Sequence, residues 1–319
     1  MTGAAAAPHR VGSRWRRWLR RLAWTFLALV VLGAWAVWRL GGELDEHIAK
    51  RRGALEHVDR GIVTQVAPGI ATQALRLRST SGLTVDLRIL RPDPPPPPGP
   101  LVVILGGHRT GRDAVELVGD PHGLVVAAID YPYEGPDRPR GLRQSLDALG
   151  RIRPALFDTP AAVALALDAL LSEPGVDPSR VELVGASLGV PFAATAAALD
   201  PRVARVWLVH GGGDNRAWLD HALERKIGSR WVRVPLVSLL HHAGRAAQFD
   251  AATRVAQLGD RPVVLIQSKD DERVPLRSVK ALRDALPADT TVHWTTGRHL
   301  NPKRPETVRE IVSLVLSQI

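Results

Sequence analysis

The sequence predicts an α/β fold with a mostly parallel, doubly wound sheet, and three observations predict it. Short continuous apolar runs recur at LVVIL (101–105), LVVAAI (124–129), VELVG (181–185), VWLV (206–209), PVVLI (262–266) and TVHW (291–294). Helical patterns separate them, most clearly over 161–171, 190–199, 276–286 and 306–317. One alternating pair of segments stands upstream. Strands that are continuously apolar, and divided by helices, belong to a parallel sheet covered on both faces. At 319 residues the chain has room for one such domain of about 250 residues with an appendage, or for two small domains.

The appendage is N-terminal. Residues 1–42 hold seven arginines and no acid, so the formal charge of +10 leaves +3 on the remainder, where both signs are interspersed. That distribution argues against nucleic acid as a partner, and no basic face interleaved with aromatics is present. LAWTFLALVVLGAWAVW (22–38) is charge-free and follows RWRRWLRR, the pattern of a membrane anchor or a signal segment. Extension to residue 42, with Arg39 reaching back to the interface, supplies the ~20 residues that span a bilayer. Trp18, Trp24, Trp35 and Trp38 lie near the two ends, as an interfacial belt requires. Ala34-Trp35-Ala36 fits a cleavage site, so secretion after cleavage is the alternative to anchoring. Either way the arginines of 1–21 stay cytoplasmic and the C-terminal bulk lies outside the membrane. There is no cysteine, which excludes disulfides, thiolate metal sites and a cysteine nucleophile.

Residues 43–69 read as a stalk, polar and helical over 43–60. Leu75 and Leu77, then Val85, Leu87 and Ile89, alternate with polar residues across Ser81-Gly82, an antiparallel hairpin. The run Pro94 to Pro98 is a stiff surface connection. In parallel sheets ligands sit beyond the carboxyl ends of the strands, so functional residues are sought there.

Gly185-Ala186-Ser187-Leu188-Gly189 is a G-x-S-x-G pattern directly after VELVG and before a helix. Its two glycines allow strand and helix to approach closely and force the serine outward on a sharp turn. The helix N-terminus adds free N–H groups, and that of Leu188 is one candidate oxyanion donor. A serine nucleophile needs a base and the base an orienting group. Asp270 and Asp271 follow PVVLI, and His299 follows TVHW in a loop before the last helix, giving the chain order Ser…Asp…His. Asp214, after VWLV, is an outside candidate for the acid. The turn after LVVIL, GGHRTG, offers Gly107 or His108 as the second oxyanion donor. Residues 211–260 form a lid-like helical insertion in which Trp218, Trp231 and Leu239 are candidates to line a pocket.

With these residues in view, the chain over about 70–319 resembles the α/β-hydrolases, in particular their dienelactone-hydrolase-like, acyl-esterase and prolyl-oligopeptidase-like branches. LLSEPGVDPSRVELVGASLG is similar to the lead into their nucleophile elbow, RPVVLIQSKDDERVP to their acid loop, and GRH to their histidine loop. The acid loop's spacing to Val274-Pro275 maps the acid onto Asp271. Two departures stand out: Leu105-Gly106 replaces the usual His-Gly of the oxyanion strand, and Ser268 replaces a glycine of the acid loop. The resemblance implies a Ser187–His299–Asp271 hydrolase acting on a small-molecule carboxylic ester, with no cofactor or metal. A prolyl-oligopeptidase-like serine peptidase is the alternative enzyme. A non-catalytic, membrane-tethered binding protein is the alternative from another class.

Overall fold

The computed structural model describes residues 44–319 apart from 108–109 and 137–139, together with Trp18, Arg21, Trp24, Thr25, Ala28 and Gly33, all helical. The chain divides into two compact units, Met1–Glu43 and Leu44–Ile319. The expected span at 22–42 therefore falls outside the described residues except at four positions. Among the described residues no helix is long and apolar enough to cross a membrane.

Leu44–Ile319 is built on one ten-stranded sheet. Its strands are β1 (Leu55–Arg60), β2 (Thr64–Ala67), β3 (Ile70–Ser79), β4 (Thr84–Pro92), β5 (Gly99–Leu105), β6 (Val125–Ile129), β7 (Val176–Ala186), β8 (Val203–Val209), β9 (Val263–Ser268) and β10 (Thr291–Thr295). The lateral order is β1-β3-β4-β6-β5-β7-β8-β9-β10, with β2 also paired to β3. From β6 to β10 every pair is parallel, and β1, β2, β3 and β4 join antiparallel. All six continuous apolar runs are strands, and the alternating pair is the β3–β4 hairpin, turning at Gly82 with φ 77°. The parallel strands β5, β6, β7 and β8 are buried on both faces, at successive residues such as Val102 and Val103, Ala127 and Ala128, Leu183 and Val184, and Leu208 and Val209, as continuous apolarity demands, whereas β4 alternates between buried and half-buried positions.

The helices are α1 (Leu44–Arg52), α2 (Gly141–Leu170), α3 (Gly189–Leu199), α4 (Asn215–Glu224), α5 (Arg230–Ala243), α6 (Ala251–Val255), α7 (Leu276–Asp284) and α8 (Pro305–Leu316). One hydrophobic layer gathers α2, α3 and the inner sheet face around Leu75, Leu165 and Phe192. A second lies on the other face, where Ile311 and Val315 of α8 meet Val126, Val184 and Val209.

The stalk expected over 43–69 is corrected by the structure. The helix stops at Arg52, and Leu55–Arg60 becomes an edge strand of the sheet. Leu44 and Ile48 are buried in the core. Arg51 donates to Asp158 at 2.7 Å, Arg52 pairs with Asp168 at 2.6 Å and Asp45 with Arg254 at 2.6 Å. The polar surface of α1, which reads as solvated in the sequence, is a set of ion-pair partners for the folded unit.

Candidate active site

Ser187 sits at φ 55°, left-handed backbone that an L-residue adopts only when its surroundings impose it. Those surroundings are the two glycines. A Cβ on Gly185 would lie 2.6 Å from Cβ of Ala193, and one on Gly189 would press into the carbonyl of Leu105. Close strand–helix approach is thus built on missing side chains, and the Ser187 N–H still bonds to the Val209 carbonyl at 2.8 Å, tying the turn to β8.

Three elements bring the expected triad together. His299 Nε2 lies 2.8 Å from Ser187 Oγ, and His299 Nδ1 lies 2.8 Å from Asp271 Oδ2. The carboxylate can only accept, so Nδ1 carries the proton and Nε2 is free to accept from the serine hydroxyl. His299 is 1% exposed and the Asp271 side chain 3%. Burial pushes the Asp271 carboxyl up. The His299 hydrogen bond and charge, with the N–H groups of Val274 and Arg273 on Oδ1 at 2.9 and 2.8 Å, outweigh it and hold the group below the usual carboxylate range. Asp270 is exposed, and Asp214 caps α4 through the Ala217 N–H at 3.0 Å and pairs with Arg277 at 2.7 Å. Neither is beside His299 in the manner of Asp271.

The departures from the family pattern have local explanations. Ser268 Oγ donates to the Gly297 carbonyl and accepts from the Asp270 N–H, stitching the acid loop to the histidine loop. Leu105 pairs with Gly185 across β5 and β7, which places the next two residues, Gly106 and Gly107, beside Ser187. A Cβ on Gly107 would stand 3.5 Å from that of Ser187. The Tyr131 hydroxyl donates to the Gly106 carbonyl at 2.8 Å. Across a trans peptide the carbonyl and the next N–H point in opposite directions, so this bond fixes where the Gly107 N–H points. Among the described residues none accepts from the N–H of Gly107 or of Leu188. His108 lies outside the described residues.

Tyr131 is thus a positioning residue that the sequence pattern does not single out. Burial raises its phenol pKa well above the usual range, which keeps it a donor. Tyr131→Phe should lower kcat for ester hydrolysis by about 10-fold with KM little changed, since removing a whole oxyanion donor costs about 10²–10³-fold in kcat. Equal losses in KM and kcat would show a looser pocket instead.

His210 is the other residue the pattern misses. It is fully buried at the carboxyl end of β8, at φ 48°, its ring 5.8 Å from that of His299. Nδ1 accepts from the Leu300 N–H at 2.8 Å, so the proton is on Nε2, which donates to Thr295 Oγ1 at 2.9 Å. His210 thereby clamps the backbone next to His299. Burial, and then the neighbouring His299, lower its pKa to about 4. A folded pKa below the ordinary 6.5 means the unfolded chain binds the proton first. Stability should therefore fall by about 2–3 kcal/mol as pH drops from 6.5 to 4. Urea unfolding of His210→Gln across this window should show a shallower decline than wild type; equal slopes would refute the assignment.

His210, Asp271 and His299 lie close enough for their ligand atoms to share one metal ion, within 4.8 Å of each other. Both His210 nitrogens and His299 Nδ1 are already engaged with protein partners, and Asp271 spends its oxygens on His299 and two N–H groups. The donor set is that of a hydrogen-bonded relay rather than an open metal site.

Beside Ser187 a cavity of about 470 Å3 opens. It runs between the sheet and α8, with Ser187, Gly107 and Leu300 at one end and Val126 and Val315 among its walls. Among the described residues none of the 211–260 insertion lines it. The insertion is helical as expected, but its candidates do not form this pocket. Trp231 is 92% exposed, Leu239 is exposed and Trp218 is partly so.

An antiparallel entry, a parallel sheet with the order seen here, and a serine on a glycine-flanked elbow define the α/β-hydrolase fold. The solved structures agree. The chain is similar to acetyl xylan esterase 1 from Thermoanaerobacterium sp. JW/SL YS485 (TM-score 0.58, 17% identity, 86% of this chain and 93% of that one). It is similar also to an acetyl xylan esterase from Paenibacillus sp. R4 (TM-score 0.60, 18% identity, 85% and 92%). A glucuronoyl esterase from Solibacter usitatus matches at TM-score 0.53 with 15% identity over 85% and 91%. No family model matches the chain, and no curated protein matches it in sequence.

Proposed function

We propose that the protein is a serine hydrolase that cleaves carboxylic esters through an acyl-enzyme. The observation that carries the reading is the continuous hydrogen-bonded chain Ser187–His299–Asp271, buried at the carboxyl ends of β7, β9 and β10. Ser187 Oγ attacks the ester carbonyl as His299 Nε2 takes its proton, and Asp271 holds the resulting imidazolium. The N–H groups of Leu188 and Gly107 receive the developing oxyanion. His299 then protonates the leaving alcohol, and a water molecule, deprotonated by His299, releases the acid and restores Ser187. The esterases named above share the fold, which favours an ester over a peptide bond. A fluorophosphonate probe should label Ser187, and short p-nitrophenyl esters should be cleaved faster than aminoacyl p-nitroanilides. Labelling elsewhere, or none, would defeat the proposal in favour of a binding protein; faster amide cleavage would defeat it in favour of a peptidase.

The proposal includes anchoring, supported by sequence alone: the charge-free run 22–38 behind a cluster of arginines, with the catalytic unit on the outer side. The full-length chain should remain in the membrane fraction after carbonate washing. A soluble species beginning at Val37 would replace the anchor with a cleaved signal.

A further inference from the structure

The cavity at Ser187 bears on the substrate in a way the triad alone does not. We infer that it is a channel for the acyl chain, and that the protein prefers esters of linear acids of roughly six to ten carbons. The inference rests on the hydrolase reading above and deepens it.

The channel owes its existence to a short connection. Among the described residues between β5 and β6, the one helix is a seven-residue 3-10 helix, Gly111–Leu117, where a longer α-helix would cover the sheet. In a 3-10 turn side chains three apart eclipse, so Ala114 and Leu117 present one narrow ridge to the sheet. The opposite wall is a single stripe of α8, Val308, Ile311, Val312, Val315 and Leu316, at helical spacing. Between ridge and stripe, the cavity reaches the face of the sheet at Val102, Ile104 and Val184.

Polarity is distributed along it in a directed way. Besides Ser187, the polar lining residues, Thr110, Arg273, Asn301 and Lys303, belong to the loops that carry Gly107, Asp271 and His299. Farther along the strands and α8 the walls are aliphatic. Two measures of length agree: Gly106 back to Val102 along β5 is ~13 Å at ~3.3 Å per residue, and Val308 to Leu316 along α8 is ~12 Å at ~1.5 Å per residue. With C–C bonds of about 1.5 Å in a zigzag, that accommodates roughly ten carbons. An acetyl group would leave most of this apolar space unfilled.

The orientation is set by which residues of the active site line the channel. Ser187, Ala186 and Gly107 do, so the acyl carbon bonded to Ser187 Oγ, with its oxyanion at Gly107, has its substituent facing inward. His299 does not line it. The leaving alcohol must meet His299 Nε2 to be protonated, and therefore departs on the other side.

The test uses the full-length protein in detergent. Across p-nitrophenyl esters from acetate to dodecanoate, kcat/KM should rise about 2- to 4-fold per methylene, the upper figure corresponding to about 0.8 kcal/mol per buried CH2, and fall beyond about ten carbons. Methyl octanoate should be cleaved at least 10-fold faster than octyl acetate. Val312→Trp, from the middle of the α8 stripe, should cut the octanoate-to-acetate ratio at least 20-fold, and Trp231→Ala, from the exposed α5, should leave that ratio unchanged. If Val312→Trp loses its cooperative thermal transition, Val118→Trp takes its place, at the residue that follows Leu117 and lines the cavity from the 3-10 side. A wild-type optimum at acetate, octyl acetate outpacing methyl octanoate, or a folded Val312→Trp with the wild-type ratio would each overturn the channel while leaving the hydrolase intact. Failure to cleave any ester together with an unlabelled Ser187 would instead remove the hydrolase reading on which it rests.

Discussion

Ser187→Ala is expected to lower kcat for p-nitrophenyl octanoate by about 10⁴-fold or more without loss of the folded state. The alanine keeps the Cβ and so inherits the same strained backbone at φ 55°, held by the same two glycines and by the Val209 carbonyl. What is lost is the oxygen 2.8 Å from His299 Nε2. His299→Gln should fall nearly as far, because the serine then has no base. Groups that act as one unit are not additive, so the double variant should be no slower than the worse single one. Single-turnover kinetics with each variant check this: residual rates that multiply in the double variant would mean that Ser187 and His299 act separately, and the triad assignment would fall.

Gly189→Ala is expected to destabilise the protein by about 3 kcal/mol or more, at the upper end of the usual cost of overpacking. Its backbone is not left-handed, so the penalty is steric. The added methyl meets the Leu105 carbonyl, a sheet backbone group paired to β7 that has nowhere to move. Urea unfolding measures the change, and a loss below about 1 kcal/mol would show that α3 can shift off the sheet. Gly185→Ala should cost a comparable amount, since the added methyl would meet the Ala193 Cβ at 2.6 Å and the Gly189 carbonyl oxygen at 2.8 Å.

Much of this architecture is legible in the residues. Continuous apolar runs mark β5 to β9 because both faces of those strands are buried, whereas β10 carries such a run although, as the edge strand, it is partly exposed. Ser187, Asp271 and His299 are legible because each stands directly after a strand, and topology alone then gathers them. Asp271 separates from Asp270 only through the spacing of the acid loop. Other features leave no local trace. His210 reads as one more histidine until the Leu300 N–H and Thr295, distant in sequence, are seen to engage both nitrogens. Tyr131 acts through a carbonyl, and backbone orientation is invisible in a string of letters. The cavity escapes the sequence for a related reason. Aromatic residues in the 211–260 insertion draw attention to that segment, whereas the channel arises from the shortness of the helix after β5, an omission rather than a motif. The helix at 44–52 reads as a stalk because charged side chains that pair across the fold look the same as those facing water.

The segment around that helix also covers an edge of the sheet. β3 is the longest strand of the antiparallel side, and on its outer margin β1 and β2 occupy its hydrogen-bonding groups along nearly its whole length. Cut the chain at residue 70, where family likeness begins, and ten residues of half-apolar backbone would face solvent as a bare edge, ready to pair with the next molecule. The residues between 44 and 69 therefore act as a selvage: they finish the sheet on one side and keep each molecule from being woven into its neighbours.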